Sequence, residues 1–355
     1  MAKVLMSGNS IIGEAAIRAG CQCYFGYPIT PQNELTEYMA KHLSRRKGCS
    51  FVQAESEISA INMVYGASVT GVRAMTSSSS PGISLKQEGI SYLAACELPA
   101  LIVNMSRGGP GLGSIAAAQS DYFQATRGGG HGDYRTIVLA PASAQELADL
   151  TYQAFDLADK YHIPVIILGD GMLGQMMEPV EFKHEPPKEL PIRSEALRGA
   201  KGRPSRIIKT FTSKATELEE INWSLFRRYQ LIKKEETAYE TFMVNDAKMV
   251  IVAFGTAARI AKGAIKRARI NDLKVGMLRP ITLWPFPSAK VEELSRTVNH
   301  FFVFEMNMGQ MIEDVRLALE GKREVSFYGR PGGVIPTPSE IFKVISRLYY
   351  QKGLR

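Results

Sequence analysis

The sequence predicts an α/β fold, a mostly parallel sheet covered by helices on both faces and followed by a second, smaller α/β unit. Three observations carry this. From residue 3 to about residue 182, short apolar runs alternate with amphipathic stretches. The connections are short, as in doubly wound sheets built from strand–helix–strand units. The alternation then lapses, and resumes on a smaller scale from Lys248. A chain of 355 residues is long enough for two cores of ordinary size.

Taken in order, the first unit is predicted to hold strands at Cys23–Tyr27, Phe51–Gln53, Ala74–Ser77, Leu101–Met105, Ile137–Ala140 and Val165–Leu168. Helices are predicted at Ser10–Ala19, Pro31–Leu43, Ile58–Thr70, Ser84–Cys96 and Ala144–Tyr161. Residues 183–245 read as an exposed linker and then a helix near Thr216–Tyr239. Between Arg193 and Lys214 this linker carries seven basic residues against one acid, Glu195. A solvated face or a dock for an acidic partner both fit it. Nucleic acid fits poorly, because aromatic residues are not interleaved with the basic ones. Residues 246–355 resume with strands at Val250–Phe254, Val275–Leu278, His300–Glu305 and Val325–Tyr328 and a closing helix at Pro338–Tyr350. Arg279–Pro287 reads as a rigid proline-rich loop at a strand end. The expected division is therefore 1–182, 183–245 and 246–355.

Composition narrows the function. Apolar content of 45% and charged content of 22% are those of a globular protein. No apolar run approaches the ~20 residues needed to span a bilayer, and no signal-peptide pattern opens the sequence. These features predict a cytoplasmic protein without a membrane partner. Cys21, Cys23, Cys49 and Cys96 lack the spacing of a zinc or iron–sulfur site, and the five histidines are scattered. No metal site is predicted on this chain.

Four stretches at strand ends carry the candidate chemistry. In Tyr27-Pro28-Ile29-Thr30-Pro31, Thr30 is predicted at a helix N-cap with Pro31 at the first helical position. A hydroxyl and free N–H groups there suit a carboxylate, although an ordinary capped helix has the same look. Gln53-Ala54-Glu55-Ser56-Glu57 places acids at the start of a helix, where the macrodipole favours them. Met75–Ser84 holds four serines before Pro81-Gly82, enough to build a turn and cap the next helix. Asn104–Gly111 places Arg107 at a strand end before a glycine-rich turn. Its guanidinium can form a surface ion pair or grip a carboxylate with both arms of its fork.

Together these stretches resemble the alpha (pyrimidine-domain) subunit of the 2-oxoacid:ferredoxin oxidoreductases, over essentially the whole chain. Gly8-Asn9, Gln119-Ser120-Asp121 and Gly128–Tyr134 add to the resemblance, and Gly174-Gln175-Met176-Met177-Glu178-Pro179 tilts it toward the branched-chain type. The resemblance implies a thiamine diphosphate pyrimidine-binding-type sheet and a smaller domain like the C-terminal domain of transketolase. It implies oxidative decarboxylation of a 2-oxoacid, here 3-methyl-2-oxobutanoate, to an acyl-coenzyme A and carbon dioxide, with electrons passed to ferredoxin. A 2-oxoglutarate-specific alpha subunit is the near alternative. A non-catalytic structural subunit and a self-contained carboligase are alternatives of other classes.

By the same resemblance Glu57 activates the cofactor by hydrogen-bonding its aminopyrimidine ring. It is favoured over Glu55 by the nine-residue spacing to Gly66. Thr30 and Arg107 would hold the substrate carboxylate, and Pro28, Ile29 and Ser79 would line the cofactor. The implied partners are a diphosphate-binding beta subunit, a gamma subunit and a ferredoxin-like iron–sulfur subunit, together with coenzyme A. Magnesium and the iron–sulfur clusters would reside on those partners. Gly169-Asp170-Gly171 starts like the family's magnesium motif but lacks its later Asn, and so reads as a strand-end turn. His131, in a glycine-rich turn, reads as turn structure rather than a general base.

Overall fold

The computed structural model describes residues 3–187, 190 and 193–354. β1 (Val4–Ser7) leads into α1 (Gly8–Arg18), whose first turn is capped by the Ser7 hydroxyl accepting from Ser10 N. Then β2 (Cys23–Gly26), α2 (Asn33–His42), β3 (Ser50–Gln53), α3 (Glu57–Val69), β4 (Ala74–Ser78), α4 (Ser80–Ala95) and β5 (Ala100–Ser106) alternate. After the short α5 (Tyr122–Arg127) come β6 (Ile137–Leu139), α6 (Ala144–Tyr161), β7 (Pro164–Asp170), α7 (Gly171–Gln175) and β8 (Met177–Val180). The later chain supplies α8 (Ala215–Glu235), β9 (Tyr239–Phe242), β10 (Met249–Val252), α9 (Gly255–Ile270), β11 (Val275–Pro280) and β12 (Thr282–Trp284). It ends with α10 (Ser288–Ser295), β13 (His300–Glu305), α11 (Met311–Leu319), β14 (Glu324–Gly329) and α12 (Pro338–Gln351).

A seven-stranded sheet runs β12-β6-β7-β5-β4-β2-β3, parallel except for β12 at its edge. Its central strands β4, β5 and β7 are buried along their whole length, as strands in a sheet covered on both faces should be. A five-stranded sheet runs β14-β13-β10-β11-β9, with β9 alone antiparallel, and β1 pairs with β8 in a separate ribbon. Among the described residues no helix is long and apolar enough to cross a membrane.

Two expectations change here. The stretch after Arg279 is not only a loop: Thr282–Trp284 adds β12 antiparallel to β6 of the large sheet. The linker is not freely exposed either. Arg193 pairs with Asp159 on α6, Leu197 N donates to Val69 O, and the Ala196 methyl fills the space beside Gly71. Basic residues at its start thus fasten it to the first sheet. Residues 188–189 and 191–192 of that linker lie outside the described residues.

Polar contacts lock the two sheets together. Gln119 donates to Phe254 O and accepts from Met306 N, while Asn307 Nδ2 donates to Gln119 O. Arg279, only 2% exposed at its side chain, grips both oxygens of Glu146 on α6 at 2.6 and 2.9 Å. Its Nε donates to Glu240 of β9 at 2.8 Å.

Candidate functional site

In the large sheet the chain runs from β2 outward to β3, then returns to the other side of β2 to build β4 and β5. A crevice at the carboxyl ends of β2 and β4 is what such a reversal leaves. The four candidate stretches lie at the carboxyl ends of these two strands and their neighbours: residues 27–32 after β2, Glu57 after β3, Ser79 after β4 and Arg107 after β5.

The first stretch differs from expectation. Helix α2 starts at Asn33 with Gln32 at its N-cap, so Thr30 is not the cap and Pro31 is not the first helical residue. Tyr27, Pro28 and Thr30 are exposed and Ile29 is half-buried, in a loop whose Thr30–Pro31 peptide is cis. The cause is long-range. Gln32 is drawn inward, where its Oε1 accepts from Ser77 Oγ at 2.5 Å. Meanwhile the Pro31 carbonyl accepts from Asn9 Nδ2 at 2.8 Å and Gln175 Nε2 at 3.0 Å. Glu34 accepts from the same two amides. Three separated motifs, around Asn9, Pro31 and Gln175, thus converge to hold one loop.

Arg107 and Thr30 do come together. Arg107 is 7% exposed, and its Nη1 donates to the Thr30 carbonyl at 2.9 Å. Its Nη2 donates to Leu112 O at 2.9 Å, and its buried Nε has no partner among the described residues. The arginine is therefore a fixed cation whose Nε is left without a partner, not a surface ion pair. Behind it, Ser80 Oγ accepts from Arg107 N and donates to Asp121, which also accepts from Asn104 Nδ2.

Glu57 opens α3 and is 6% exposed, with Ser56 as the N-cap whose hydroxyl accepts from Ser59 N. Among the described residues its carboxylate has no hydrogen-bond donor. The backbone closes on it from α4. A Cβ at Gly82 would stand 2.6 Å from Glu57 Oε1 and 2.1 Å from Ser78 Oγ, so only glycine fits there. Ser79 is the N-cap residue of α4, and its hydroxyl, like that of Ser78, is buried without a partner. Glu55, by contrast, is exposed.

The remaining candidates lie elsewhere. Asp170 ends β7 and caps α7 through Leu173 N, and burial raises its pKa. His131 is exposed in its glycine turn. An open groove of about 720 Å³ between α8 and residues 132–135 is lined by Trp223, Phe226, Tyr229 and Trp284, but by none of the residues above.

Residues 14–244 match the family model described as "Pyruvate flavodoxin/ferredoxin oxidoreductase, thiamine diP-bdg", and residues 247–341 match "Pyruvate:ferredoxin oxidoreductase core domain II". The chain belongs to this ferredoxin oxidoreductase family. Within it, the ketoisovalerate oxidoreductase subunit VorB of Methanothermobacter marburgensis is 48% identical over 98% of both chains. The 2-oxoglutarate synthase subunit KorA of Methanothermobacter thermautotrophicus is 35% identical over 97% of this chain and 98% of that one. A solved 2-oxoglutarate:ferredoxin oxidoreductase from Magnetococcus marinus, with 2-oxoglutarate, coenzyme A and succinyl-CoA bound, has a TM-score of 0.87 and 30% identity. That match covers 98% of this chain but only 65% of the solved chain.

For a ferredoxin oxidoreductase subunit with a thiamine diphosphate-binding domain, the residues present fit the ring end of that cofactor. The Glu57 carboxylate and the partnerless Ser78 hydroxyl both close on the Gly82 backbone, and Ser79 adds a second buried hydroxyl without a partner. One buried charged residue escaped the sequence. Lys86, on α4, is fully buried and donates to Thr76 Oγ1 and Ser77 O. Its only signal was a lysine one residue before the buried Gln87, where a surface helix would turn its charge outward.

Proposed function

We propose that this chain is the subunit of a branched-chain 2-oxoacid:ferredoxin oxidoreductase that holds the aminopyrimidine ring and the substrate carboxylate. The observation that carries this is Glu57, buried, without a donor among the described residues and pressed against Gly82. The substrate class rests on relatives named for ketoisovalerate, which is 3-methyl-2-oxobutanoate, at 48–49% identity, against 34–36% for several full-length 2-oxoglutarate relatives.

Bound thiamine diphosphate supplies a carbon nucleophile for the 2-oxo group and a sink for the electrons left when carbon dioxide departs. The Glu57 carboxyl would hydrogen-bond a ring nitrogen of the cofactor. Ser79, Pro28 and Ile29 border the ring, and Ser78 adds a hydroxyl. Thr30 offers its exposed hydroxyl to the substrate carboxylate, and Arg107 its fixed charge. The diphosphate, magnesium and iron–sulfur clusters fall to a beta subunit and a ferredoxin-like subunit, with a gamma subunit and coenzyme A completing a cytoplasmic complex. The parts 1–182, 183–245 and 246–355 belong to the same reading, with β12 as the strand that crosses back between them.

The test is the assembled complex, assayed for acyl-coenzyme A formation and ferredoxin reduction with 3-methyl-2-oxobutanoate and with 2-oxoglutarate. Preference for the branched substrate, lost on Glu57→Gln, supports the proposal. Full turnover by that variant makes this a structural subunit only.

A further inference from the structure

The open groove beside α8 has no task in the proposed chemistry, and its lining carries an order of its own. On α8 it is lined by residues three or four apart, from Leu218 through Asn222, Phe226 and Gln230 to Lys233, which is one face of the helix. Another face is already used, since Leu225, Tyr229 and Ile232 are buried in the core. A surface helix needs one apolar face, and α8 has a second. On that second face Trp223 and Phe226 are 54% and 48% exposed, with their rings edge to face at 5.6 Å. At the floor of the groove Tyr229 stands edge-on to Trp284 at 5.7 Å.

The groove face is a palindrome centred on Phe226. Counted outward in both directions, Trp223 matches Tyr229 at three residues, Asn222 matches Gln230 at four, and Glu219 matches Lys233 at seven. Steps of three, four and seven keep all these positions on one face. Each match is complementary as well as symmetric: aromatic with aromatic, amide with amide, carboxylate with ammonium. Glu219 and Lys233 lie about 21 Å apart along the axis, too far to meet within one helix. Both are exposed, and among the described residues neither forms an ion pair. The wall across the groove carries one charge of each sign, Asp133 and Arg135, and adds no net bias.

We propose that α8 is a self-pairing surface, in which a second copy of this chain lays its own α8 antiparallel in the groove about a two-fold axis at Phe226. Such an axis sets residue i of one copy against j of the other and j against i, so a helix pairs with itself only where it is complementary about the axis. Phe226 then meets its counterpart, Trp223 of each copy meets Tyr229 of the other, and each Glu219 meets a Lys233. Leu218 falls against the methylene stem of Lys234. Rings at the centre supply affinity, and charges at the rim set register. A parallel pairing would set Glu219 beside Glu219 and Lys233 beside Lys233, so the charges select the antiparallel one. An unrelated partner requires no palindrome, which is why a second copy is the occupant.

The test is sedimentation of the full chain over a concentration series. Wild type should pass from monomer to dimer as concentration rises. Phe226→Glu, which sets two carboxylates at the axis, should raise the dimer dissociation constant about a hundredfold. Glu219→Lys and Lys233→Glu should each raise it about tenfold, because each creates two like-charged pairs. Mixing these two variants should restore the wild-type constant, since every pair is then opposite in sign again. Misfolded variants give no such rescue, so the mixture decides even if Phe226→Glu does not fold. A wild type that stays monomeric to its solubility limit overturns the proposal, as does a dimer whose charge variants no mixture rescues. If Phe226→Glu leaves the isolated chain's sedimentation unchanged but stops it joining the oxidoreductase complex, the groove belongs to a partner subunit and self-pairing is wrong.

Discussion

Arg107 Nη1 lies 2.9 Å from the carbonyl oxygen of Thr30, so the cation is tied to the backbone of the loop that offers the neighbouring hydroxyl. This contact divides the labour between the two residues. Thr30→Val removes a hydroxyl but leaves the carbonyl that anchors Arg107. Arg107→Leu removes a charge and two backbone anchors together. Hydrogen bonds to charged groups are worth about 1.5–3 kcal/mol, against roughly 0.5–1.5 for neutral ones. Steady-state kinetics of the complex should therefore show kcat/KM down about tenfold for Thr30→Val and about a hundredfold for Arg107→Leu. Both losses should be equal for 3-methyl-2-oxobutanoate and 2-oxoglutarate, which share the carboxylate. An Arg107 variant impaired only with 2-oxoglutarate means that this arginine reads the distal carboxylate instead.

Glu57→Gln should fold and assemble yet lose most turnover. Amide and carboxyl are nearly the same size, so the fit against Gly82 survives while the proton at the ring nitrogen does not. Removing a positioned acid–base group costs about 10²–10⁴ in rate. The check is turnover beside the elution profile of the complex, and activity within a few-fold of wild type would falsify the assignment.

Arg279→Met should destabilise the chain without touching the crevice. The guanidinium is buried, but Glu146 and Glu240 are 30% and 32% exposed and Glu240 keeps Lys262, so the loss should fall below that of a fully buried pair, at about 1–3 kcal/mol. Chemical denaturation measures this directly. A loss under about 1 kcal/mol would mean that water reaches the two glutamates and that the pair behaves like a surface one.

How far the sequence could be read depended on whether a residue's partners were local. Runs such as Ala100–Ser106 announce a buried strand by themselves, and Ser56 followed by Glu57 announces a helix start. The start of α2 was misjudged because Thr30-Pro31 is a good local signal, overruled by Gln32 reaching Ser77 on β4. β12 was missed because its partner, β6, lies far back in the chain. Lys86 was invisible for a related reason: nothing near it in sequence explains a buried cation, since its acceptors lie on β4. Arg107 was found, but not that its fork already holds Thr30 and Leu112 carbonyls.

The chain alone should neither decarboxylate 2-oxoacids nor bind thiamine diphosphate tightly. In the proposed reading Glu57, Ser78 and Ser79 serve the ring, and the diphosphate is left to a partner. Among the described residues no three His, Cys, Asp or Glu side chains gather as a metal ligand set. Calorimetry with cofactor and magnesium should show weak binding for the chain and tight binding for the complex. Robust turnover by the isolated chain would sink the division of the cofactor between subunits.

Lys86 gives the isolated chain a pH dependence whose sign can be worked out. Burial holds the folded amine near 7, well below its ordinary 10.5. Below pH 7 both folded and unfolded states carry the proton, and the full cost of burying the charge weighs on the fold. Between pH 7 and the ordinary lysine range the unfolded chain binds more protons than the folded one, so stability rises with pH. The limiting slope for one proton is about 1.4 kcal/mol per pH unit. Buried cysteines and tyrosines, with raised values, act in the opposite direction near the alkaline end. Comparison with Lys86→Met cancels them. Urea midpoints from pH 6 to 9 should show wild type gaining on the variant steadily above pH 7, with no relative gain below it. A constant difference across that range would mean that Lys86 keeps its proton throughout, as an ammonium whose third N–H has found water.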